Sequence, residues 1–107
     1  GNYAVLEHKT SAKRWTDTKL AFDNQLTLYS LAAPQLGFDD AAIVVQVLLK
    51  QKTPDLVLYR PTRTEADRKD LVEVVRGISR ATRSGIFYPL RDWHCRGCEY
   101  ASACVAG

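Results

Sequence analysis

The sequence has no methionine, no internal repeat, no low-complexity tract and no apolar run near the ~18 residues needed to cross a membrane. The last absence excludes a helical membrane span. Gly1 to Leu6 shows no basic stretch leading into an apolar core and a small-residue cleavage site, so no secretory signal is visible. Without methionine even at its first position, the chain is expected to begin inside a longer protein. Cysteine is missing until Cys95 and then occurs at Cys95, Cys98 and Cys104. A secreted disulfide scaffold spreads an even number of cysteines along the chain. Three in one terminal segment instead suit a cytoplasmic protein with a metal or iron–sulfur site, one ligand of which lies elsewhere.

What is present is ordinary for a folded domain. The 107 residues suffice for one domain, with 46% apolar and 25% charged residues. The net charge of +3 favours nucleic-acid binding only mildly.

Tyr3 to Thr10 alternates as a strand does, placing Tyr3, Val5, Glu7 and Lys9 on one face and Ala4, Leu6 and His8 on the other. A helix capped by Thr16 or Asp17 is expected to run to about Ala33, with Leu20, Phe22, Leu26, Tyr29 and Ala33 among its apolar positions and with Pro34 and Gly37 stopping it. The branched run from Ala41 to Leu49 predicts a strand buried on both faces. A turn through Pro54 leads to an antiparallel strand over Leu56 to Arg60. Thr62-Arg63-Thr64-Glu65 fits a capping box for a second helix, whose Leu71, Val74, Val75 and Ile78 share a face and which Gly85 ends. The order is β-α-β-β-α with a cysteine-rich C-terminal tail, an α/β arrangement.

Three constellations carry chemistry. Glu7 and Lys9 leave one face of the opening strand, a carboxylate and an ammonium side by side. Such a pair suits metal-assisted phosphodiester hydrolysis, the carboxylate helping to hold Mg²⁺ and the lysine orienting water or neutralising developing charge. Gln25 and Tyr29, at i and i+4, share one helical face. Cys95, Cys98 and Cys104 form C-x₂-C-x₅-C, a spacing open to iron–sulfur or, if His94 joins, to zinc ligation. Lys13, Arg14 and Lys19 form a basic cluster after the strand where a DNA backbone can run, and Trp15 either stacks a base or packs on the sheet. Arg76, Arg80 and Arg83 read as a solvated face.

Taken in order, Glu-x-Lys on a strand, Q-x₃-Y on the next helix and the terminal cysteines resemble the PD-(D/E)XK nuclease superfamily. More narrowly they resemble RecB-like exonucleases with a C-terminal iron–sulfur segment. The resemblance implies a partial restriction-endonuclease-like core over residues 1–90 and an iron–sulfur cysteine segment over 91–107. It implies a DNA exonuclease dependent on Mg²⁺ or Mn²⁺, with Glu7, Lys9, Gln25 and Tyr29 catalytic and Glu7 a metal ligand. It further implies Cys95, Cys98 and Cys104 as three of four ligands to a 4Fe–4S cluster, and DNA, with a helicase domain or subunit, as partner. Members carry another metal-binding Asp and a further cysteine upstream of these motifs. The chain is therefore expected to be a C-terminal part that neither cleaves DNA nor holds a complete cluster alone. The alternative is a non-catalytic DNA-binding or scaffolding module of a helicase–nuclease complex.

Overall fold

The computed structural model describes residues 3–106, with side chains for residues 3–104. The extreme ends of the expected 1–90 and 91–107 spans lie outside these. The elements are β1 (Ala4–Ser11), α1 (Asp17–Phe22), α2 (Asn24–Gln35), β2 (Ala42–Leu49), β3 (Asp55–Tyr59), α3 (Glu65–Arg83), a 3₁₀ turn (Trp93–Gly97) and α4 (Ala101–Ala106). They form two compact units, 1–74 and 75–107, with α3 running from the first into the second.

In the first unit β2 is the central strand, flanked by β1 in parallel and β3 antiparallel. A parallel pair needs a crossover, and α1 with α2 supplies it. Residues paired in register project to the same side of a sheet. Glu7 pairs with Val45 and Lys9 with Val47, so both face the side carrying the core. There Leu26 of α2 is fully buried with Trp15, Ile43, Val45, Val47 and Leu49, and Leu20, Tyr29, Val57 and Tyr59 pack around them.

Several local expectations are corrected. The helix expected from residue 16 or 17 to about Ala33 is two helices broken at Asp23. Thr16 Oγ1 caps α1 by accepting the Lys19 N–H at 3.1 Å. Asp23 is extended, and its Oδ1 accepts the Leu26 N–H at 3.0 Å, so it ends α1 and starts α2. A short aspartate side chain can thus hold backbone donors that a continuous helix would otherwise use. Phe22, expected on the apolar face, is left exposed at the end of α1. Pro34 does not stop α2 but sits within its last turn. The stop is Gly37, at φ +90, with its N–H on the Pro34 carbonyl and the Phe38 N–H on that of Ala33. This is a Schellman closure, which needs the left-handed conformation glycine tolerates.

The α3 cap is a box two residues later than the expected Thr62–Glu65 one, opened by Thr64, with the Thr64 N–H on Asp67 Oδ2 at 2.7 Å and the Asp67 N–H on Thr64 Oγ1 at 3.2 Å. The Thr64 N–H, and then the Thr64 hydroxyl, hold the Asp67 carboxyl below its ordinary value.

β2 is not buried on both faces. Val44 is covered, but Leu48 beside it and Leu6, Leu56 and Leu58 on the same face of the neighbouring strands are each about half exposed. Of the expected apolar stripe on α3, only Leu71 is buried. Trp15 is in the core, its backbone N–H on the Tyr59 hydroxyl at 3.1 Å. It therefore packs on the sheet and is not available to stack a base.

In the second unit α3 ends on Gly85 at φ +70, with the Gly85 N–H on Thr82 and that of Ile86 on Ala81. Asp92 caps the 3₁₀ turn through the His94 N–H at 2.8 Å. Among the described residues no helix is long and apolar enough to cross a membrane.

The core dictates a stability test. Leu26→Ala removes a fully buried side chain and is expected to cost about 2–5 kcal/mol, while Leu48→Ala on the open face costs less than half as much. Urea midpoints of the two variants check this ranking.

Candidate active site

Glu7 and Lys9 meet the start of α2. Lys9 Nζ donates to Gln25 Oε1 at 2.8 Å and lies 3.3 Å from Glu7 Oε1. The Tyr29 hydroxyl donates to the other carboxylate oxygen, Glu7 Oε2. The Glu7 side chain is 18% exposed and that of Lys9 32%, so the group is half-sunk beside the core yet open to solvent.

The strand's period of two aims Glu7 and Lys9 the same way, and the helical i, i+4 spacing aims Gln25 and Tyr29 back at them. The break at Asp23 sets where α2 begins and hence where those two residues fall. The structure therefore brings together Glu7, Lys9, Gln25 and Tyr29. His8 faces the opposite, exposed side.

The Tyr29 hydrogen bond holds the Glu7 carboxyl below its ordinary value against the opposing effect of burial, with Lys9 adding to the lowering. The same bond raises the Tyr29 hydroxyl above its ordinary value of 10.0, and burial adds to this. An ionised carboxylate has about four acceptor positions, and Tyr29 and Lys9 take two. Hard-oxygen acceptors remain on Glu7, and Mg²⁺ is commonly held through one or two carboxylates plus waters and substrate phosphate. Glu7 thus fits as one ligand to such an ion. Among the described residues no three His, Cys, Asp or Glu side chains converge as a complete metal site.

Two of the three cations after β1 have partners within the chain. Arg14 pairs with Asp55 at 3.5 Å, both side chains well exposed, and Lys19 Nζ stands 4.4 Å over the Trp15 ring. Lys13 is exposed. In the second unit Cys95, Cys98 and Cys104 are free, exposed thiols that do not gather into a metal-binding group. The backbone N–H of Asp92 instead donates to Cys95 Sγ at 3.4 Å, and His94 Nδ1 sits 3.0 Å from Asp92 Oδ1.

Arg63 escaped the reading of the sequence. Its guanidinium donates to Thr27 Oγ1 at 2.7 Å and to the carbonyls of Leu20 at 2.6 Å and Asp23 at 3.2 Å. It clamps the α1–α2 junction from the segment after β3. Nothing local in Pro61-Thr62-Arg63-Thr64 signals this, because these three partners lie 36, 43 and 40 positions away.

The family profile of the PD-(D/E)XK nuclease superfamily matches residues 1–105. The chain belongs to that superfamily, whose members are generally nucleases, and its mixed α/β fold is consistent with a restriction-endonuclease-like core. No curated protein and no solved structure matches it significantly.

The shared hydrogen bond has a pH signature. A lowered Glu7 value contributes stability that is present above the ordinary carboxylate range and lost as pH falls through the folded value. A raised Tyr29 value contributes below 10.0 and is lost as pH rises through its higher folded value. Tyr29→Phe is expected to move Glu7 back up toward its ordinary value. Carboxyl-carbon NMR titration of Glu7 checks it, and an unmoved Glu7 would show that the bond does not set its ionisation.

Proposed function

We propose that this chain carries part of the active site of a RecB-like, metal-dependent DNA exonuclease, with Glu7, Lys9, Gln25 and Tyr29 as its working residues. The observation that carries this reading is the meeting of carboxylate, ammonium, amide and phenol at one half-exposed edge of the sheet.

Glu7 offers oxygens to Mg²⁺ or Mn²⁺, which when bound supplies Lewis-acid neutralisation of charge on the phosphoryl oxygens. Lys9, released from Glu7 and Gln25 as substrate arrives, orients the attacking water and meets the charge that develops on the phosphate. Tyr29 holds Glu7 ionised and oriented. Gln25 positions Lys9 and presents its amide to the DNA strand. The exposed Lys13, with Arg14 and Lys19 beside it in sequence, lies on the connection leaving β1 and is assigned to the phosphate backbone. Glu7 is the one acidic ligand assigned here; among the described residues no three His, Cys, Asp or Glu side chains form a metal-binding group.

The RecB-like assignment and the association with a helicase rest on the C-x₂-C-x₅-C spacing. Cys95, Cys98 and Cys104 are assigned as 4Fe–4S ligands on that spacing alone. Their thiols do not converge among the described residues, and no step of the reaction is routed through a cluster. Residues 1–90 are taken as the nuclease part, 91–107 as the cysteine segment, and the cytoplasm as the compartment.

The second reading is a non-catalytic DNA-binding module of a helicase–nuclease complex. Cleavage assays separate the two. In the protein with its native flanking sequence, Lys9→Ala is expected to lower Mg²⁺-dependent DNA cleavage about a hundredfold or more. The isolated 107 residues are expected to give no cleavage above background. Absence of cleavage from the longer protein supports the scaffold. Robust Lys9-dependent cleavage by the isolated chain contradicts the expectation of a further ligand upstream.

A further inference from the structure

The first unit holds a second polar site on the other side of α2. Gln25 and Tyr29 point to β1. Thr27 and Ser30, on a different side of the same helix, point to arginines from the segment that follows β3. Thr27 Oγ1 accepts from Arg63 Nε at 2.7 Å, and Ser30 Oγ accepts from Arg68 Nη1 at 3.0 Å. Between the end of α2, the start of β2 and the β3–α3 segment lies a cavity of about 660 Å³. Arg60, Arg63 and Arg68 all line it, with Ser30, Thr62 and one carboxylate, Asp40. None of Glu7, Lys9, Gln25 or Tyr29 does.

The charge of this cavity is unbalanced. Arg63 is half-buried, and the oxygens it bonds are neutral: the Thr27 hydroxyl and the carbonyls of Leu20, Asp23 and Thr62. Of its five N–H groups one on Nη1 is left over. Arg68 is shared between Glu65, Ser30 and the Arg63 carbonyl, again with one N–H to spare. Arg60 is exposed and makes no hydrogen bond or ion pair among the described residues. No carboxylate hydrogen-bonds Arg63, although Asp67 lies near enough to both Arg63 and Arg68 to feel their charge and Glu65 pairs with Arg68. A half-buried cation without a hydrogen-bonded counter-charge is costly, and an anion entering the cavity offsets that cost. Guanidinium groups match phosphate oxygens through paired N–H donors. The volume is within the ~300–1,000 Å³ typical of small-molecule sites, more than one phosphate needs.

We infer that the Arg60–Arg63–Arg68 cavity is a phosphate-binding site, separate from the Glu7–Lys9 cluster, that takes the phosphate of a nucleotide or of a nucleic-acid backbone. Arg63 and Arg68 are fixed by their internal bonds and form the floor. Arg60 is free to close on the ligand. The inference does not depend on the nuclease reading of the Glu7–Lys9 cluster.

The test is calorimetric titration of the chain with inorganic phosphate, a nucleoside 5′-monophosphate and a single-stranded DNA oligonucleotide, repeated on Arg60→Ala. Arg60 makes no internal bond, so the variant is expected to fold as the parent does. Binding is expected to weaken about tenfold or more in Arg60→Ala, the loss of a charge-assisted contact. That Arg60-dependent component is expected to persist in Lys9→Ala. Arg60 dependence confined to the oligonucleotide identifies the backbone as the source of the phosphate, and dependence shared by the monophosphate identifies a nucleotide site. Unchanged affinity in Arg60→Ala, dependence on Lys9 in place of Arg60, or no binding of any of the three overturns the inference and leaves the Glu7–Lys9 reading standing.

Discussion

The Tyr29 hydroxyl on one Glu7 oxygen, and Lys9 between the other and Gln25, tie an edge strand to the helix that crosses over it. Half-burying a carboxylate beside an apolar core is unfavourable unless its oxygens are hydrogen-bonded. Here each oxygen has a partner, so the site is compatible with the fold that surrounds it. That arrangement depends in turn on the start of α2 at Asp23. Arg63 holds the junction by taking the Leu20 and Asp23 carbonyls. A loop after the last strand of the sheet thereby positions side chains facing the first.

Much of this was legible in the sequence because it rests on short periods. Alternation put Glu7 and Lys9 on one face of β1, and the i, i+4 spacing put Gln25 beside Tyr29. The antiparallel β2–β3 pair and the Gly85 stop follow from turn chemistry. The break at Asp23 was not legible, since an aspartate inside a helical pattern declares itself a cap only when its backbone is seen to be extended. Nor was the half-open face of β2. A continuous apolar run states that a strand can be covered twice, and what covers it depends on elements that a local pattern does not contain. The Lys9–Gln25 bond and the Arg63 clamp are tertiary contacts between distant segments and have no local signature.

The two sides of α2 divide the polar chemistry of the first unit. One side carries a carboxylate and an ammonium that neutralise each other and are held in place by an amide and a phenol. The other carries guanidinium groups that outnumber the carboxylate lining the same cavity. Membership of the PD-(D/E)XK nuclease superfamily gives the first side its expected chemistry. The second unit carries three free, exposed thiols.

The central claim is that Glu7 is a ligand to a divalent ion within a cluster completed by Lys9, Gln25 and Tyr29. Paramagnetic broadening by Mn²⁺ in NMR spectra of the chain measures it most directly. The account predicts that signals of Glu7 and its three neighbours broaden first and recover when Mg²⁺ is added in excess. Broadening that begins at the acidic residues of α3 and spares Glu7 would contradict it.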